Sequence, residues 1–409
     1  MSDGLRRIAM VSMHTSPADA PGSRDAGGMN VAMLAVATQL ARRGVEVDLL
    51  TRASGHPSER ELADGVMLRS LAAGPPIPIP KYRLVDVADD FGEAVAQLSG
   101  RLAPRYDLLH AHYWLSGLAT LPVAIELGIP FVQSFHTLGA MKNRLLAPGD
   151  EPEPEGRLRG EAFLGNQADA VVAGSAAEVL TLIDELRTPA ERLWVIPPGV
   201  DAELFTPDRA HNNSALRTLL GLEPSRPVIV IAGRIQPLKD QELGIRVLAE
   251  LSMVSPAPIL VIAGEAQDEQ YRAHLDAVAK ELGVSEDVRF VGALDREILA
   301  DLLAAAEFTL VTSHSETFGL VALESAASGT PVIAYRGTGL VESVSDLESG
   351  YLLDSRDPAE WAGAILSHRA DGERVARLRR SARSFAEGFT WATSAASHLA
   401  LYESLLARD

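Results

Sequence analysis

Short apolar runs alternate with helical periodicities along almost the whole chain, and nothing else in the sequence narrows its fold as much. Apolar strands are predicted at 8–11, 45–50, 107–114, 129–136, 170–173 and from Leu193, where the chain breaks at two prolines. Helical spacing fills the intervals at 29–43, 115–127, 157–167 and 175–185. The polar run ELFTPDRAHNN at 203–213 interrupts this order and reads as a linker. Beyond it the alternation restarts, with strands at 228–232, 259–263, 288–291 and 308–312 and helices at 241–254, 271–282 and 297–305. Strands that alternate with helices need right-handed crossovers and form parallel sheets covered on both faces. With 409 residues, 47% of them hydrophobic, each half can bury its own core. The chain is therefore expected to be α/β, with two Rossmann-like, doubly wound parallel sheets spanning 1–207 and 208–389, followed by a helix at 390–409.

The stretch SETFGLVALESAASGTPVIAY, 315–335, carries the most chemistry. Thr317 is a suitable cap for a helix whose apolar face begins at Phe318, Leu320, Val321 and Leu323. Gly329 ends that helix, Pro331 follows, and Val332, Ile333 and Ala334 form a strand. A helix start offers free N–H groups and a positive dipole end to an anion, and Gly319 lets a ligand approach the backbone. A diphosphate held there would bring Glu316 near one end of a nucleotide sugar and Glu324 near the other. In isolation, two glutamates near a helix start are as easily a solvated pair.

Other positions fit a polar ligand. In G-R-I-Q-P-L-K, Arg234 and Lys239 follow a strand and can neutralise a leaving diphosphate as fixed cations. No Asp-x-Asp stands at a strand end to hold a divalent ion, so no cofactor and no catalytic metal are expected. Gly27-Gly28 sits where the first strand hands over to its helix, without a G-x-G-x-x-G fingerprint. His110, His112 and His136 fall near strand C-terminal ends, where open α/β sheets bind ligands. His110 and His112 share a strand face and could form a metal pair, but no third ligand is suggested nearby. His136, with Thr137 beside it, is the better candidate for substrate contact. Lys81 lies in the Pro-rich loop 74–84, and the acidic run 147–156 reads as an exposed loop.

The string E-[ST]-F-G-L-x-x-x-E followed by A-x-G-x-P-V resembles the donor-binding signature of retaining glycosyltransferases of family 4, which have the two-domain GT-B fold. S-M-H-T-S-P (12–17), D-A-G-G-M-N-V (25–31), H-Y-W-L-S-G (112–117) and F-H-T-L (135–138) are similar to one branch of that family. That branch joins N-acetylglucosamine from UDP-GlcNAc to 1L-myo-inositol 1-phosphate at the opening of mycothiol biosynthesis. The resemblance implies donor contacts at Gly28, Arg234, Lys239, Glu316, Thr317, Phe318, Gly319, Leu320 and Glu324, the last on the ribose. It implies an acceptor pocket of Asn30, Lys81, Tyr113, Thr137 and Arg157, with the last four on the phosphate. His136, Arg234, Lys239 and Glu316 would serve catalysis, orienting and stabilising during a same-face transfer. The domains would close over the donor, the last helix would cross back to the first domain, and a homodimer is possible. A-L-D-R at 293–296 and S-H-S before Glu316 depart from the family's pattern.

Composition excludes several alternatives. A net charge of 37 − 55 = −18 argues against nucleic acid or anionic lipid as a surface partner. The absence of cysteine removes disulfides, thiolate catalysis and cysteine metal sites. No apolar run approaches the roughly 18 residues of a membrane span, and the N-terminus passes into a strand without a cleavage site. Small-molecule partners in the cytoplasm are expected, with no stable membrane insertion. Two readings compete with the inositol-phosphate enzyme: another family 4 transferase, making sucrose phosphate or mannosylating phosphatidylinositol, and a non-catalytic protein that binds sugar nucleotides.

Overall fold

The computed structural model describes residues 4–20, 22, 25–223 and 226–407. Pro21, Ser23 and Arg24, Pro224 and Ser225, and the outermost residues of both terminal segments lie outside them. The first half begins with β1 (Arg7–Val11), α1 (Gly28–Ala41), β2 (Glu46–Arg52), β3 (Ser58–Ala63), β4 (Val66–Leu71) and α2 (Ala88–Arg101). It continues with β5 (Leu108–His112), α3 (Trp114–Leu127), β6 (Phe131–Ser134), α4 (Gly139–Arg144) and α5 (Glu155–Gln167). It closes with β7 (Ala170–Ala173), α6 (Ala176–Asp184) and β8 (Leu193–Val195).

The second half opens with α7 (Asn213–Leu219), β9 (Val228–Ala232), α8 (Gln241–Glu250), β10 (Ile259–Ala263) and α9 (Glu269–Glu281). Next come β11 (Val288–Gly292), α10 (Arg296–Ala305), β12 (Phe308–Val311), α11 (Leu320–Ala327) and β13 (Val332–Tyr335). The last elements are α12 (Leu340–Ser343), β14 (Gly350–Leu353), α13 (Pro358–Arg369), α14 (Gly372–Ala386) and α15 (Trp391–Leu406).

Among the described residues the strands form two sheets, ordered β3-β4-β2-β1-β5-β6-β7-β8 and β11-β10-β9-β12-β13-β14. The central strands are fully buried apolar runs, such as VIVIA in β9 and ILVIA in β10, because helices cover both faces. The expected parallel, doubly wound class is therefore present in both halves. One strand departs from it: β3 runs antiparallel to β4. Its sequence SERELA has no apolar alternation and lies exposed at the edge, where the pairing turns at Gly65 with φ 74°. Strand order reverses beside β1 and β5 in one sheet and beside β9 and β12 in the other. At such switch points the loops after neighbouring strands diverge and leave a crevice.

Two local expectations are corrected. The chain leaves the first core at Ile196 and enters the second at Val200, ahead of the polar run 203–213. Within that run Leu204 and the wholly buried Phe205 pack into the second core and Pro207–Asn212 forms a 3₁₀ turn, so the crossing lies ahead of the polar run. The return crossing lies beside the first, where Val200 N–H donates to Phe389 O at 2.9 Å. From there α15 packs against α1, with Trp391, Leu401, Tyr402 and Leu405 in one core with Met33, Val36 and Leu40.

The second correction concerns α11. Its cap is Gly319 at φ 97°, not Thr317. A Cβ at Gly319 would stand 2.7 Å from Leu340 Cδ2, so glycine suits both the backbone and the space.

Candidate active site

The C-terminal ends of both sheets face one cleft of about 760 Å³. One wall carries Gly28, Lys81, Tyr113, His136, Thr137 and Arg157, and the other carries Arg234, Lys239, Glu316 to Leu320, and Glu324. Asn30 is not on this surface. It is buried in α1, where its Nδ2 donates to Ser16 O at 2.6 Å and Thr15 Oγ1 at 3.2 Å, and its Oδ1 accepts from Gly27 N at 3.0 Å. Its amide therefore holds the loop that borders the cleft and has no free group for a ligand.

Tyr113 organises the first wall. It follows β5 with φ 72°, a left-handed conformation that turns its ring into the cleft. Lys81 Nζ lies 4.6 Å from the ring centroid, Arg157 Cζ 5.0 Å, and the His14 ring 4.4 Å. Arg157 Nη2 donates to Thr137 O at 2.9 Å and Thr137 Oγ1 at 3.0 Å, while Nε donates to Glu161 Oε1 at 2.6 Å. Burial disfavours the charged guanidinium, but Glu161, Tyr113 and Glu153 outweigh it and raise its pKa. Burial, with Lys81 next, holds His14 well below the usual imidazole range. Two basic side chains, the Arg157 guanidinium held charged, and a neutral imidazole thus surround one phenol.

His136 also has a left-handed backbone, φ 60°, and is held at both ends. Thr317 Oγ1 of the other wall donates to its carbonyl at 2.6 Å, and its Nε2 lies 2.7 Å from His112 Nδ1. Burial, helped by His398, lowers the His136 pKa to about 4, so the ring is neutral near pH 7. His112 Nε2 is buried without a partner. An orphaned acceptor is less costly than an orphaned N–H, so the favoured tautomer has His112 Nδ1–H donating to His136 Nε2. His136 then carries its proton on Nδ1 and serves as a donor, not a base. His110 uses both nitrogens, on Tyr402 OH at 2.7 Å and Ser134 Oγ at 2.9 Å. The histidines considered as a metal pair thus lie with ring centroids 4.2 Å apart and planes tilted by 32°, each joined to a hydrogen-bond partner. Among the described residues no three His, Asp or Glu side chains are grouped to hold a metal.

On the second wall, Lys239 Nζ stands 2.5 Å from Glu316 Oε1, which also accepts from Ser313 Oγ at 2.7 Å. Thr338 Oγ1 accepts Glu316 N–H at 3.0 Å, and Gly339 N–H donates to Glu316 O at 2.9 Å, which fixes the loop ahead of α11. Among the described residues the Arg234 guanidinium makes no hydrogen bond or ion pair. Burial lowers its pKa while Asp25 and Glu316 pull the other way. Glu324 pairs with Arg296 at 3.0 Å; burial raises its pKa and Arg296 opposes the rise. The walls approach closely at Gly28, where a Cβ would stand 2.9 Å from Leu320 Cδ1. Arg296, His14, Glu153 and Glu161 are site or support residues that the sequence reading did not assign. Arg296 had a signal in the A-L-D-R departure, His14 one in S-M-H-T-S-P, and Glu153 and Glu161 one in their i,i+4 spacing about Arg157.

Two parallel α/β domains with facing switch points and a cation-lined cleft define a GT-B glycosyltransferase. Residues 26–204 match the family described as Glycosyltransferase Family 4, and residues 214–385 match Glycosyl transferases group 1. A D-inositol 3-phosphate glycosyltransferase of Acidothermus cellulolyticus is 39% identical, with 98% of this chain and 91% of that protein aligned. Sucrose-phosphate synthase from Thermosynechococcus elongatus superposes with a TM-score of 0.88 at 29% identity, covering 99% of this chain and 100% of that one. Anabaena Alr3699/HepE, solved with UDP and glucose, shares the fold at a TM-score of 0.77 and 22% identity, over 97% of this chain and 99% of its own. The chain belongs to glycosyltransferase family 4 and is a hexosyltransferase. Among the described residues no helix is long and apolar enough to cross a membrane.

Proposed function

We propose that the enzyme transfers N-acetylglucosamine from UDP-GlcNAc to 1L-myo-inositol 1-phosphate (D-inositol 3-phosphate), with retention and without a metal, as the first step of mycothiol biosynthesis. The observation that carries this reading is the cationic box around Tyr113. Lys81 and Arg157 reach its ring from separate elements, Thr137 bonds Arg157, and the group suits a phosphomonoester through charge-assisted hydrogen bonds. It lies opposite the α11 loop, so an acceptor phosphate held there would face a donor diphosphate across the cleft. Relatives called D-inositol 3-phosphate glycosyltransferases add the polyol.

In this reading the diphosphate lies at the α11 N-terminus beside Arg234 and Lys239, with Glu324 on the ribose. The bond between the anomeric carbon and the phosphate oxygen breaks as an acceptor hydroxyl forms the new bond on the same face. The hydroxyl proton passes to the departing phosphate oxygen. Arg234, which has no ion-pair partner among the described residues, and Lys239 stabilise the charge that grows on the diphosphate. His136 donates from Nδ1 to the transferred sugar, and Glu316 orients Lys239. Product analysis tests the stereochemistry: proton NMR should show an α-linked product, equally abundant with and without a chelator. A β-linkage contradicts retention, and chelator sensitivity contradicts cation-only stabilisation.

The likeness to sucrose-phosphate synthase favours one second reading, transfer of glucose from UDP-glucose to a hexose phosphate. It would use the same phosphate box and differ in the polyol.

A further inference from the structure

Each cation assigned to the acceptor phosphate already faces a carboxylate. Lys81 Nζ stands 3.3 Å from Asp25 Oδ1. Arg157 places Nη1 2.9 Å from Glu153 Oε2, and its other nitrogens serve Glu161 and Thr137. Lys142, a further cation on the cleft, pairs with Glu153 Oε1. A phosphate dianion entering this wall meets cations whose charge is already matched, so an anion must leave for it to bind with full strength.

The candidates differ in their freedom to leave. Glu161 is 0% exposed, and its second oxygen accepts Gly139 N–H at 2.8 Å. Releasing it would strand a buried charge. Glu153 is 18% exposed and precedes α5 on the turn-rich run 147–156, the last two residues of which begin that helix. That run was expected to be an exposed loop, and most of it is, but Glu153 is turned inward to line the cleft. Asn143 clasps its backbone, accepting Glu153 N–H at 2.7 Å and donating to Glu153 O at 3.3 Å. The backbone is thus located while the carboxylate bridges two cations at the rim.

We propose that Glu153 is a resident anion standing in for the acceptor phosphate between Lys142 and Arg157, and that the acceptor binds by exchanging its phosphate for this carboxylate. The inference rests on the acceptor-phosphate reading above. Exchange acts as a specificity filter. Inorganic phosphate must displace Glu153 with little else to gain, whereas an inositol phosphate adds the contacts of its ring hydroxyls. The empty site is thereby guarded against small anions.

Calorimetric titration with inorganic phosphate tests the exchange on the parent, Glu153→Gln and Glu151→Gln chains. Glu151 is an exposed carboxylate two residues away on the same loop, so its variant controls for net charge. Glu153→Gln should bind phosphate roughly three- to tenfold more tightly, as expected for one partly screened ion pair. Glu151→Gln should stay within about twofold of the parent. Unchanged or weaker binding by Glu153→Gln overturns the exchange, as does equal tightening by both variants. The reading beneath it fails separately, if 1L-myo-inositol 1-phosphate does not bind the parent at all.

Discussion

Lys81 and Arg234 stand on opposite walls of the cleft, and their loss should appear in different kinetic constants. In the proposed roles, Lys81→Ala would remove a charge-assisted contact to the acceptor, worth about 1.5–3 kcal/mol, and should raise the acceptor KM by that amount with little change in the donor KM. Arg234→Ala would remove charge stabilisation that grows toward the transition state and should lower kcat by about 10²-fold. Steady-state kinetics with each substrate varied in turn separates the two. An equal rise in both KM values for Lys81→Ala, or an unchanged kcat for Arg234→Ala, contradicts the roles. Tyr113, His136 and Thr137 were legible in the sequence because they sit in short motifs at strand ends, whereas Lys81, in a loop, and Arg157, inside α5, do not. The supporting partners were read less well. Glu153 and Glu161 hold Arg157 at i,i+4 spacing, a local signal that only burial turns into a support, while Arg296 meets Glu324 through a tertiary contact that no local spacing records. Asn30 shows the reverse problem: the motif points to a ligand, while burial commits its amide to the neighbouring loop.

At the scale of elements, α11 and the loop before it join the halves. Thr317 has the side chain of a helix cap, and local chemistry alone favours that role. Its hydroxyl instead crosses the cleft to His136 O at 2.6 Å, and the left-handed Gly319 starts the helix. Tertiary contact thus overrides local preference at a residue that links the two walls. Gly319→Ala should destabilise the protein by roughly 1–3 kcal/mol, through φ strain and the approach to Leu340, and should raise the donor KM. Denaturant unfolding and donor kinetics measure both. Unchanged stability would mean that the loop relaxes without cost, contrary to its packing. The strands at 170–173, 228–232 and 259–263 have the bounds read from sequence because each is an apolar run ended by a small or polar turn residue. The β3 edge strand lacks such a run, and only the Asp64-Gly65 turn betrays it.

At the scale of the molecule, a chain with a net charge of −18 concentrates Lys81, Lys142, Arg157, Arg234 and Lys239 around one cleft. An acidic exterior with a cationic interior wall suits two small phosphorylated substrates better than a polyanionic surface. The site is complete only when both halves contribute. Thr317 bonds His136 O directly across the cleft and α15 packs on α1, so the two halves are joined at the residues proposed for catalysis. The measurement that tests this most directly is UDP release from UDP-GlcNAc, with and without 1L-myo-inositol 1-phosphate, beside UDP-glucose and GDP-mannose and with a hexose phosphate as rival acceptor. The account predicts strong turnover with UDP-GlcNAc that depends on the inositol phosphate. Turnover with another donor, or release indifferent to the inositol phosphate, would contradict it.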